Sequence, residues 1–245
     1  MITRSTVGRL KAFGLTETGK VRKHNEDSIG LFDANGIWVV ADGMGGHAAG
    51  DYASQRIVEA IKAIKPGPLE SRTLAVEDVL QSVNTELVAH AQARAAGTVG
   101  STVVSAIADN QGCVIAWAGD SRAYLSRDGV LEQVNSDHSF VAELVRAGTL
   151  KEEEAEAHPA ANVVTRAVGG DARLCVDYQY ESWRPGDRLV LCSDGVSKEL
   201  PGARLARLVA EGDSPEAVCN AVRDAVYEGR CSDNLSVIVI EAMAG

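Results

Sequence analysis

Apolar positions in the first third of the chain change period twice. Residues 27–32 and 37–41 are short β-rich runs, and Asp33-Ala34-Asn35-Gly36 between them is a hairpin turn signal. From 49 to 64 the period becomes helical, with Ala53, Ile57, Ala60, Ile61 and Ile64 on one face. Pro66-Gly67-Pro68 ends that helix. A longer one is predicted over 73–95, with Val76, Val79, Leu80, Val83 and Leu87 facing inward. The middle reads as strands at 101–108, 113–118, 123–126 and 130–134, joined by the turns Asp109-Asn110-Gln111-Gly112 and Arg127-Asp128-Gly129. Connections this short make antiparallel neighbours, not crossovers. Two polar, Ala/Glu-rich helices at 139–147 and 151–157 flank Gly148 and form a surface excursion. Strands at 174–180 and 188–192, helices at 203–211 and 215–228, and a last strand at 235–241 complete the pattern. Antiparallel strand groups beside helix pairs predict an α+β layered fold. No linker, repeat or low-complexity tract interrupts it, so residues 1–245 read as a single domain.

Composition narrows the function. At 45% hydrophobic the chain is an ordinary globular sequence. Its net charge of −10 argues against nucleic-acid binding, which needs a basic face. It fits a protein that gathers carboxylates around cations, and equally one that is acidic for solubility. No apolar run reaches the ~20 residues needed to span a bilayer. No apolar stretch follows Arg4 as a secretion signal would require. The five cysteines are scattered and form no C-x-x-C pair, which predicts reduced thiols and a cytoplasmic protein.

Acids collect where strands begin or end. Residues 37–41 run into Asp42-Gly43, and residues 189–193 run into Asp194-Gly195. Either Asp alone reads as well as a turn residue. Glu26 and Asp27 open another strand, Asp120 closes the one ending at Gly119, and Asp233 precedes the last. Five strand boundaries thus carry acid, and oxygen donors of this kind suit Mg2+ or Mn2+ rather than zinc. The stretch Gly43-Met44-Gly45-Gly46-His47 would let backbone approach metal or substrate, or is simply a flexible helix entry.

These runs resemble the PP2C (PPM) family of metal-dependent serine/threonine protein phosphatases, in its compact bacterial form. The matching segments, in family order, are Thr18-Gly19-Lys20-Val21-Arg22 with Asn25-Glu26-Asp27, Val40 to His47, Gly100-Ser101-Thr102, and Ala118 to Tyr124. Asp137-His138-Ser139, Thr165 to Gly170, Cys192-Ser193-Asp194-Gly195 and Ser232-Asp233-Asn234 follow. The resemblance implies a four-layer α-β-β-α sandwich of two antiparallel sheets flanked by helices, with two Mn2+ or Mg2+ ions in a cleft at one end. It implies that Asp42 bridges the ions and that Asp194 and Asp233 complete the first site. The Gly43 carbonyl, and Glu26 through water, would serve the second. Asp27 would orient metal-bound water and Arg22 would hold the phosphate. Two metals lower the pKa of bridging water, so hydroxide attacks phosphorus in line without a phosphoenzyme. The excursion at 139–161 corresponds to the family's flap, which gates substrate or is a helix pair that never touches it.

Two departures stand out. Met44 occupies the place of a histidine that some members carry as general acid; His47 is the nearest substitute, or a surface histidine at the helix entry. Lys198 occupies the place of an acid that helps bind a third metal with Asp120 and Asp194. A weaker third ion could bind those two aspartates, or the Lys198 ammonium partly replaces it. Expected partners are phosphoproteins, including a bacterial Ser/Thr kinase and its substrates; nucleic acid and membranes are not expected, and the chain reads as a monomer.

The rival readings are weaker. None of the cysteines has Arg six residues later, which argues against a cysteine phosphatase. Gly14 to Lys20 imitates a P-loop, but Val21 stands where Ser or Thr should hold Mg2+. A phosphoprotein-binding pseudophosphatase, made weak or inactive by the Met44 or Lys198 departure, is the alternative to an enzyme.

Overall fold

The structure is a computed structural model that describes residues 2–7, 10–45, 48–93, 97–155 and 157–243. The first sheet contains β1 (Ile2–Val7) and β2 (Leu10–Glu17). The second takes β3 (Asp27–Phe32), β4 (Ile37–Met44), β5 (Gly100–Ser101), β6 (Val103–Ala108) and β7 (Gly112–Ala118). The chain returns to the first sheet for β8 (Arg122–Arg127) and β9 (Val130–Gln133), and to the second for β10 (Asp177–Ser182). It ends in the first with β11 (Arg188–Cys192) and β12 (Leu235–Ala242). The strand orders are β1-β2-β12-β11-β8-β9 and β10-β7-β6-β4-β3, with β5 joined to β4. Every pairing between these strands is antiparallel.

Strand periodicity builds the layers. Successive side chains on a strand point to opposite faces. Trp38 and Val40 of β4 therefore join Ile115, Leu189, Leu191, Ile238 and Ile240 in a core between the sheets. Ile37, Val39 and Ala41 of the same strand face outward, against α1 (Ala48–Lys62) and α2 (Leu69–Ala93) through Ile57, Ile61, Leu80 and Leu87. On the far side Phe13, Leu15, Val190, Val237 and Val239 pack under α6 (Gly202–Glu211) and α7 (Pro215–Glu228). Three apolar cores between four layers give the expected α-β-β-α arrangement. Each fully buried Leu, Ile or Val side chain contributes about 1.5–3 kcal/mol.

The departures from the sequence reading have local causes. β1 and β2 were not foreseen. In β2 the apolar residues Leu10, Ala12, Phe13 and Leu15 face two different cores, so no clean alternation survives. It ends in a turn at 19–21, not in the helix a P-loop needs. β4 extends through Asp42 to Met44 because β5 pairs with Gly43 and Met44. The strand expected over 101–108 breaks at Thr102, whose backbone N–H donates to the Asp42 carbonyl at 2.9 Å. The strand expected from 174 begins only at Asp177. The excursion carries α3 (Phe140–Arg146), capped by the Ser139 hydroxyl, and α4 (Glu152–Ala155), shorter than expected. Its neck is closed by a bridge between Ser139 and Val164. Asp194 does not merely end a strand; it opens the one-turn helix α5 (Asp194–Ser197).

Candidate metal centre and active site

The two sheets present their acids at the same end. Asp27 and Asp42 are direct partners across β3 and β4. Asp194 follows β11 and Asp233 precedes β12, which is its neighbour in the other sheet. Asp120 lies in the connection from β7 to β8. Arg22, Glu26, Asp42, Gly43, Asp120, Asp194 and Asp233 all line one cleft of about 470 Å3. Asp27 lies buried behind it.

Both Asp-Gly pairs are required by close backbone approach. A Cβ on Gly43 would lie 2.1 Å from the Gly50 carbonyl oxygen and 2.7 Å from that of Glu26. One on Gly195 would lie 1.9 Å from the Asn234 carbonyl oxygen. These contacts pack the acid-bearing loops tightly within each sheet's end. Asn234 fastens them further. Its amide donates to the Thr18 and His24 carbonyls at 2.8 and 3.0 Å, and its side-chain oxygen accepts from the Glu26 N–H at 2.8 Å.

The electrostatics are those of crowded buried carboxylates. Burial, then Asp27, Asp194, Asp120 and Asp233, push the Asp42 carboxyl well above its usual range. Burial pushes Asp27 up to about 7, although the Ser236 and Ser193 hydroxyls oppose the shift. Those hydroxyls donate to one oxygen, Oδ2, at 2.7 and 2.8 Å. The other oxygen, Oδ1, is buried and has no hydrogen-bond partner among the described residues. Asp120 rises to about 6 through burial and then Asp194, while Lys198 pulls it down.

Two cations reach this cluster. Arg22 donates to Asp233 Oδ2 at 2.8 Å. Lys198 donates to Asp194 Oδ2 and, at 2.7 Å, to Asn162 Oδ1. Burial works against the Lys198 charge, but Asp194, then Asp120 and Asp42, raise its pKa above the ordinary value. With Asp233 and Asp194 so engaged, no three His, Cys, Asp or Glu groups among the described residues converge as the side chains stand. The donor set nonetheless fits hard divalent ions. It is all oxygen and crowded with like charge, and a buried oxygen of Asp27 behind it is left unpaired.

The fold brings together the site residues expected from sequence, with one exception. His47 lies outside the described residues. Sequence reading missed the groups that hold the acids in place. Ser193 enters the sequence reading only inside the run Cys192 to Gly195, and Ser236 only as a small polar residue within an apolar strand end. Asn162 gives none. His138 was noted only as part of a run; its Nδ1 accepts from the Gly119 N–H at 3.2 Å, steadying the residue before Asp120. The cysteine reading agrees with four buried thiols and one exposed, all free.

A sandwich of two antiparallel sheets with an acidic, cation-attracting cleft at one end defines a phosphoester hydrolase of the metal-dependent class. The chain belongs to the protein phosphatase 2C family, whose sequence profile matches residues 18–224. It is a bacterial serine/threonine protein phosphatase of that type. It is 35% identical over 240 residues to the serine/threonine phosphatase Stp of Listeria innocua, covering 92% of this chain and 93% of that one. The structure of PppA from Pseudomonas aeruginosa, a regulatory component of its T6SS, superposes with TM-score 0.90 at 37% identity over 97% of this chain and 99% of that chain. The catalytic domain of PstP, solved with two manganese ions, matches with TM-score 0.84 at 28% identity over 96% of this chain and 99% of that chain. Among the described residues no helix is long and apolar enough to cross a membrane.

Proposed function

We propose that the cleft holds two divalent cations, Mn2+ or Mg2+, with Asp42 between them. Asp194 and Asp233 complete the first position. The Gly43 carbonyl, and Glu26 through water, serve the second. The observation that carries this reading is the half-buried Asp42 carboxyl ringed by Asp27, Asp120, Asp194 and Asp233. Such a cluster is costly unless cations offset it. The two manganese ions held by the PstP catalytic domain support the count. Bound ions of this kind lower the pKa of water, so hydroxide is available near neutral pH.

The chain's own groups do the rest. Arg22 leaves Asp233 and clamps two phosphate oxygens, the bidentate geometry a guanidinium favours. Asp27 is fixed through Oδ2 by Ser193 and Ser236, and its unengaged Oδ1 accepts a hydrogen from the attacking water. His47 protonates the serine or threonine oxygen that leaves. Asp120 and Asp194 are the groups a weaker third ion would use, and Lys198 already offers both a positive charge. Substrates are phosphoserine and phosphothreonine proteins, with a bacterial Ser/Thr kinase and its targets as the expected partners. The enzyme acts in the cytoplasm as a single-domain monomer, with residues 139–161 as a flap.

The test is phosphate release from a phosphothreonine peptide with and without Mn2+. Turnover should require the metal, and Asp42→Asn should abolish it while leaving the circular dichroism spectrum unchanged. Undiminished activity in Asp42→Asn would refute the bridging role. No metal-dependent turnover by the folded wild type would favour the phosphoprotein-binding alternative. For His47→Ala, a loss of about 10²–10⁴-fold is expected on the peptide, the usual contribution of a proton donor. An aryl phosphate, whose leaving group needs no proton, should lose far less. Equal losses on both would remove His47 from that role.

A further inference from the structure

Lys198 stands at the end of the one-turn helix α5, and its ammonium touches two separate parts of the molecule. One contact is with Asp194, four residues back. A pair at that spacing on an exposed helix contributes little by itself. The second contact sets this lysine apart. At 2.7 Å the ammonium also meets Asn162 Oδ1, at the base of the excursion that carries α3 and α4. Asn162 is held there by the closed neck, in which Ser139 bridges Val164 and the Phe140 N–H donates to the Val163 carbonyl at 2.9 Å.

The ammonium also lies where two cavities meet. Lys198, Asn162, Asp120 and Asp194 line the acidic cleft, and the same four residues line a neighbouring cavity of about 280 Å3. That second cavity is roofed by Val141, Ala155 and Ala161 of the excursion. Two carboxylates, Asp120 and Asp194, face this side of the cleft together, so it calls for a positive charge. Lys198 supplies one that cannot diffuse away.

We propose that Lys198 is a tethered cation with two tasks. It takes the place of a diffusible ion beside Asp120 and Asp194, and it latches the excursion to the cleft through Asn162. It is a positioning residue. Through Asn162 it fixes the excursion that a phosphoprotein must pass, and through Asp194 it holds one carboxylate of the first ion position. The inference rests on the two-ion reading of the cleft.

Calorimetric titration of metal-free protein with Mn2+, paired with amide hydrogen exchange, tests both tasks. Lys198→Asp should bind one more Mn2+ than the wild type, because a carboxylate then stands where the ammonium was. Lys198→Met should raise exchange of the amides at 162–165 by about tenfold or more, the loss expected for a hydrogen bond to a charged group. It should also raise KM for a phosphothreonine peptide more than for p-nitrophenyl phosphate, and Lys198→Arg should restore wild-type exchange. An unchanged ion count in Lys198→Asp overturns the cation role. Unchanged exchange in Lys198→Met overturns the latch. A wild type that takes up no Mn2+ overturns the two-ion reading itself, and this inference with it.

Discussion

Arg22 has to serve two partners in turn. In the structure its guanidinium donates to Asp233, a residue assigned here to the first metal position. The pair is substantially exposed, so it contributes little to stability and is readily exchanged. A phosphate dianion and a metal ion would therefore each compete for one half of it. Removing the arginine should act in opposite directions on the two. In Arg22→Ala, Mn2+ should bind more tightly because Asp233 is released. The kcat/KM for a phosphopeptide should fall by about 10–100-fold, the cost of losing charge-assisted hydrogen bonds to phosphate. Calorimetry and steady-state kinetics on the same preparation read both. Weaker Mn2+ binding in the variant would mean that Arg22 organises the metal site and does not merely occupy Asp233. Lysine is not expected to restore the kinetics, since it cannot present a planar fork.

Between elements, polar contacts join pieces that packing alone would let slide. Arg56 of α1 meets Glu86 of α2 through two hydrogen bonds of 2.9 Å, and the Tyr52 hydroxyl adds a third at 2.7 Å. The Arg56 and Tyr52 hydrogen bonds hold the Glu86 carboxyl down at about 2, against a usual value of 4.5. A depressed carboxylate stabilises the fold at pH values above its unfolded pKa, and that stability is lost as pH falls through the folded one. Glu86→Gln should thus lower the urea midpoint at pH 7, and the gap from wild type should close between about pH 4.5 and 2. A gap that stayed constant over that range would show that the carboxylate charge is not what ties α1 to α2. Glu86 is 38% exposed, so solvent screening keeps the effect small. This pair also shows what could be read from sequence and what could not. The helices themselves were legible, because Ile57, Ile61, Leu80 and Leu87 recur at helical spacing. The strand-end aspartates were legible because an acid closing an apolar run is chemically anomalous. Arg56 lies thirty residues from Glu86, and Asn162 thirty-six from Lys198. Local periodicity carries no information about such distances. β2 escaped for a related reason: a strand buried on both faces loses the alternation that would mark it.

The site exists only because two sheets meet. The second sheet brings Asp27 and Asp42, the first brings Asp194 and Asp233, and Asp120 lies on the connection between them. The Trp38 layer pulls the sheets together, while these carboxylates, in a chain of net charge −10, push their ends apart. Without metal the fold must therefore hold a repulsive cluster closed, and metal binding should return that energy as stability. A ligand present at a hundredfold excess over its Kd and bound only by the folded state stabilises it by about 2.7 kcal/mol. Thermal melts in EDTA and in rising Mn2+ should show wild-type Tm climbing with the logarithm of metal concentration. Asp42→Asn removes the charge that the other four aspartates of the cluster surround. It should melt higher than wild type in EDTA and gain much less from Mn2+. The two melting curves should cross as metal is added, the form expected when the same residue is a cost to the empty fold and a ligand in the filled one. A wild-type Tm indifferent to Mn2+, or an Asp42→Asn variant that melts lower in EDTA, would show that the sheet ends are held by something other than balanced charge.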